Sequence, residues 1–87
     1  MKTVRERALS EEVVVEALSL TIAESAKVNT LVRWLQCNKK WRRDRNNKYS
    51  EKQLGDALRA TEADFPDYER RMVLMNKLLA LDQERGG

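Results

Sequence analysis

Apolar residues recur along most of this chain at intervals of three and four, the period of amphipathic helices. The first eight residues are mostly polar and basic and predict a frayed end. At Leu9-Ser10-Glu11-Glu12 the pattern opens. Ser10 can cap, the two acids suit the positive end of a helix dipole, and Leu9 can staple against Val14. Val15, Leu18, Ile22 and Ala26 then form one stripe, widened by Val14 and Ala17, while Glu12, Glu16 and Ser19 face water; this predicts a first helix running to about Ala26. The β-branched run Val13-Val14-Val15 would also suit a strand, but the helical period that follows outweighs it.

Asn29 or Thr30 can cap a second helix over residues 30–44, and the short connection makes neighbours of the first two helices. On this helix Leu31, Trp34, Asn38 and Trp41 recur at i, i+3, i+7 and i+10, with Leu35 widening the stripe. Arg33, Gln36, Lys40 and Arg43 repeat the same spacing about 100° round the axis, so an aromatic seam and a basic stripe run side by side. Trp34, among apolar neighbours, reads as a core anchor; Trp41 adjoins only charged and polar residues and suits either core or surface. The segment RRDRNNKYS ends the helix, with the turn at Asn46-Asn47.

Ser50 with Gln53 makes a capping box, and Tyr49 can staple against Leu54, so a third helix starts there with Leu54, Ala57, Leu58 and Thr61 inward. Gly55 costs this helix about 1 kcal/mol relative to alanine unless a neighbouring backbone packs closely against it. Pro66 separates the third helix from a fourth opened by Asp64 or Phe65. In this last helix Tyr68, Met72, Met75 and Leu79 form one stripe and Leu74, Leu78 and Leu81 another beside it. Glu69, Asn76, Lys77 and Glu84 are left for solvent, whereas Arg71 falls inside the apolar arc and must snorkel or find a partner. Gly86-Gly87 ends it. The expected fold is therefore all-α, a single domain over residues 1–87 built as a small bundle of about four helices joined by short turns.

Charged residues make up 36% of the chain, yet its 41% hydrophobic content is too high for a disordered tail, which points to a folded domain with a heavily charged surface. One cysteine, Cys37, excludes an internal disulfide, and with no histidine there is no multi-ligand metal site of the usual kind. A reducing, cytoplasmic setting is expected: no apolar run approaches a membrane span, and MKTVRERALSEE lacks the apolar region of a secretory signal. No cofactor is expected either, since the three glycines form no phosphate-binding loop.

Catalysis is disfavoured on the same grounds. Histidine, the usual general base, is missing, and the acids Asp64, Asp67 and Glu69 look like helix-start residues. Cys37 sits among cations that could activate a thiol, but a half-buried, inert cysteine is the simpler reading.

What remains is a surface. Residues 27–48 hold eight Lys/Arg against one acid, Asp44, a formal +7, while the other 65 residues sum to −4. So polarised a field speaks for an anionic partner. A non-enzymatic regulatory protein that binds nucleic acid, DNA or RNA, would use Arg33, Lys39, Lys40, Arg42, Arg43, Arg45 and Lys48 on phosphates, with Asn46, Asn47 or Trp41 able to contact bases. Residues 21–35 also carry a weak flavour of a helix-turn-helix, with Ala26 where the turn glycine usually stands and Ile22 where a small alanine is usual. The alternative is a protein-interaction module, an adaptor or inhibitor whose Trp41 and arginines dock on an acidic protein surface. A homodimer formed over Tyr68, Met72 and Met75 is a further expectation, against ordinary core packing of that stripe. The blandest account makes the charge run a solvated helix end.

Overall fold

A computed structural model of the chain describes residues 10–43 and 49–84. The described residues are helical with no strand, as expected, but they form five helices rather than about four: α1 (Glu11–Leu18), α2 (Ile22–Ser25), α3 (Val28–Arg43), α4 (Glu51–Asp64) and α5 (Tyr68–Glu84).

The extra element comes from a break in the expected first helix. Ser10 caps α1 through Val13 N–H as anticipated, at 3.2 Å; Leu9 lies outside the described residues. The helix then stops at Leu18 instead of continuing to Ala26, because Ser19 turns left-handed at φ 54°. Its N–H reaches the Glu16 carbonyl at 3.2 Å and the Leu20 N–H reaches Val15 at 3.1 Å, the paired bonds of a Schellman ending with Leu20 and Val15 both packed against the core. Thr21 and Glu24 then exchange side-chain and backbone hydrogen bonds in a capping box that starts the four-residue α2. The break rotates the chain, so Ile22, expected inward, is 92% exposed.

Two other boundaries shift. α3 begins at Val28, and Thr30 does not cap it; the Thr30 hydroxyl donates instead to the Asp64 carboxylate. Asp64, expected to open the last helix, is the final residue of α4, and α5 starts after Pro66 with the Asp67 carboxylate accepting from Arg70 N–H at 3.1 Å. The Ser50–Gln53 capping box forms as expected, at 3.2 and 3.0 Å.

The core gathers Val14 and Leu18 of α1, Val28, Leu31, Trp34 and Leu35 of α3, Phe65, and Leu74, Met75 and Leu78 of α5. Helix α3 is the hub: it lies along α4 and also touches α1 and α5. The principal extents are 34 × 32 × 18 Å, so the molecule is about two helix diameters thick and its helices keep an outward face. From α4 the core receives only Ala57 and Thr61 fully, with Leu58 left 46% exposed against expectation. The Thr61 hydroxyl is satisfied by the Ala57 carbonyl at 2.8 Å.

Candidate nucleic-acid interface

Sixteen residues make α3, and none is acidic, while Lys40, Arg42 and Arg43 occupy its last turn. Cations there complement the negative end of the helix dipole. Val28, Leu31, Trp34, Leu35 and Cys37 are buried and lock the helix in place. Trp34 is the core anchor its neighbours predicted, whereas Trp41 is half-buried.

Outward stand Arg33, Gln36, Lys40 and Arg43, all exposed, as the helical spacing required. The earlier start of α3 adds Asn29, also exposed, one turn before Arg33. Five polar side chains thus fill positions i, i+4, i+7, i+11 and i+14, an arc of about 80° running about 21 Å along the axis. Arg42 is exposed as well, on another side of the helix end. Lys39 differs from these: its ammonium lies 3.2 Å from the Asp82 carboxylate, whose side chain is 11% exposed, and so pairs α3 with α5. Arg45, Asn46, Asn47 and Lys48 lie outside the described residues.

Three clefts border the row. On one side Gln36, Lys39, Lys40 and Arg43 face Tyr49, and Arg33 and Gln36 face Gln53 and Asp56 of α4. A cleft of about 520 Å³ opens on another, between Asn38, Lys39, Arg42 and Arg43 of α3 and Leu79, Asp82 and Gln83 of α5. Tyr49, Asp82 and Gln83 were not foreseen here, since only the packing of α4 and α5 against α3 brings them near.

The other cations of the described chain are nearly all spoken for. Lys27 pairs with Asp64, Lys52 and Arg59 with Asp56, Arg70 with Glu24, and Arg71 with Glu62. Arg71 solves its predicted problem by bonding the Phe65 carbonyl at 3.3 Å and lying over the Tyr68 ring. Arg33, Lys40, Arg42 and Arg43 have no ion-pair partner among the described residues, and Lys77 is the one other described cation in that condition. Among the described residues, the cations outside α3 are neutralised except for Lys77, and those of α3 other than Lys39 are left open.

Cys37 faces the Arg33–Gln36 side but is buried, and burial pushes its thiol above the ordinary range, with Arg33 pulling weakly the other way. A thiol so placed is held in its neutral form and packs as a small apolar group. Among the described residues no three metal-ligating side chains converge, and no helix is long and apolar enough to cross a membrane. The helix-turn-helix expectation finds little support: the segment before α3 supplies a four-residue helix whose Ile22 points into solvent.

A second surface has the opposite character. Leu58, Met72, Met75, Leu79 and Trp34 line a groove of about 390 Å³ between α4 and α5, rimmed by Arg59, Glu62 and Arg71. No protein-family model, curated protein or solved structure matches the chain, so the reading of either surface rests on the chemistry described above.

Proposed function

We propose that this chain is a non-enzymatic regulatory protein that binds nucleic acid through the exposed face of α3. The observation that carries the proposal is the sorting of the described cations: all those outside α3 except Lys77 are tied to carboxylates, while Arg33, Lys40 and Arg43 stand in one exposed row on an acid-free helix, with Arg42 exposed on another side of its end. Exposed cations with no ion-pair partner among the described residues can displace the counterions of a phosphate backbone, the main source of affinity for nucleic acids. A firmly packed helix carries them, so little ordering is needed on binding. An acidic protein surface would meet the same charges, but the row offers polar side chains rather than the aromatic anchors that usually dominate protein interfaces, Trp41 being half-buried.

Fluorescence anisotropy of labelled duplex DNA, single-stranded DNA and RNA tests the proposal. Binding at micromolar concentration or tighter is expected in about 50 mM salt, weakening roughly tenfold or more in about 200 mM, with loss in Arg42→Glu/Arg43→Glu. Absence of binding to all three at low salt would rule it out, and the intact protein would then serve as bait for a protein partner with Trp41→Ala as control.

A further inference from the structure

We propose, resting on the reading above, that the ligand is B-form duplex DNA and that α3 enters its major groove to read base edges through Asn29, Arg33, Gln36, Lys40 and Arg43. The face of α3 is more specific than a basic patch needs to be. A surface that only neutralised phosphates could be built from lysines alone. Here two side-chain amides, Asn29 and Gln36, are interspersed with Arg33, Lys40 and Arg43 in one exposed row. Arginine and lysine match the O6 and N7 acceptors of guanine, and asparagine and glutamine match the N6 donor and N7 acceptor of adenine; these pairings are available in the major groove.

Geometry selects among nucleic acids. The row of about 21 Å lies on one helix, and the B-form major groove, about 12 Å wide, admits one α-helix. In A-form RNA the corresponding groove is too narrow and deep for side chains on a helix to read. Single strands are gripped by bases stacking on exposed aromatic rings. Trp34 and Phe65 are buried, Trp41 and Tyr49 half-buried, and the exposed Tyr68 lies on α5 outside the clefts that border α3. Base reading also needs a backbone held in register, which Leu31, Trp34 and Leu35 supply from the inner face. The nearest acid of α4, Asp56, is already engaged by Lys52 and Arg59, which limits its repulsion of phosphate. Arg42, off the row, is left for a flanking phosphate, and each cation used on a phosphate steepens the salt dependence.

The test is selection of tight sites from a randomised duplex library with the full chain, followed by anisotropy on four probes. These are the enriched duplex, its separated strands, the RNA duplex of the same sequence, and the enriched duplex carrying 7-deazapurines. The enriched duplex should bind at least about tenfold tighter than the strands or the RNA, and loss of the purine N7 acceptors should weaken it by a similar factor. Arg33→Ala and Gln36→Ala, both at exposed positions that leave the core untouched, should each cost roughly tenfold on that duplex and relax its base preference, with unchanged far-UV circular dichroism. Equal or tighter binding to RNA or single strands would overturn the major-groove assignment while leaving nucleic-acid binding standing. Indifference of the duplex to the deazapurines and to Arg33→Ala would do the same. Failure to bind any of the four probes would remove both.

Discussion

Helices α3 and α5 are the two longest, and both supply the centre of the core, yet they treat their outer faces in opposite ways. α3 presents Asn29, Arg33, Gln36, Lys40 and Arg43 to water, whereas α5 leaves Tyr68 63% exposed with Met72 and Val73 beside it. On α3 the polar row separates inside from outside at each turn. On α5 apolar residues surround the first two turns, and what lies inward is decided by the neighbours: Leu74 and Leu78 meet the cluster that holds Val14 and Leu31, while Tyr68 and Met72 do not. Polarity thus orients one helix and packing orients the other.

Paired truncations on α5 give the largest effects and would break this comparison if they failed. Leu74→Ala, at a position with no exposure, should cost about 2–5 kcal/mol, whereas Met72→Ala on the outer face should stay under about 1 kcal/mol. Equal losses in urea midpoints would mean that Met72 is covered in solution, as a second copy seated on the α4–α5 groove would cover it.

Next in size is the clamp that fixes the short α2 to α5. Arg70 donates to both carboxylate oxygens of Glu24 at 2.8 and 2.7 Å, and with the Thr21 N–H it holds that carboxyl down at about 2 against an ordinary 4.5. The depressed value contributes stability fully present above about pH 4.5 and lost as the pH falls toward 2. Glu24→Gln should cost roughly 1–2 kcal/mol at neutral pH, after allowance for solvent around the guanidinium. Its stability should also fall less than that of the parent between pH 4.5 and 2. Asp64, lowered by the Thr30 hydroxyl and then by Lys27, titrates in the same direction and leaves a remaining slope. Urea titrations across that range would separate the two.

The smallest effect sharpens the comparison from α4. A methyl group added at Gly55 would meet nothing closer than the tip of the Arg59 side chain at 3.7 Å, so no close backbone approach requires glycine there. Gly55→Ala should therefore raise stability by about 0.5–1 kcal/mol, visible as a higher thermal midpoint. A loss would show that α4 packs more tightly in solution.

Much of this was readable in advance where a side chain answers to its own neighbours in sequence. Ser10 and Ser50 cap because their hydroxyls accept from N–H groups three residues on, with the Gln53 amide oxygen accepting from Ser50 N–H in return, and the outward row from Arg33 to Arg43 follows from helical period alone. The Thr21–Glu24 box was equally legible as a T-x-x-E signature, but a stripe extended through Ile22 hid it. That stripe failed because Ser19 carries nothing that announces a left-handed turn; the turn is held by Leu20 and Val15 reaching the core.

The candidate surface divides along the same line. Local chemistry determined the all-α class and the acid-free, cationic helix among the described residues, since period, caps and charge are properties of residues close in sequence. Which cations remain open was a tertiary decision. Nothing near Lys39 in sequence foretells Asp82, nor Glu24 the fate of Arg70, because those partners lie 43 and 46 residues apart and meet only when the helices pack.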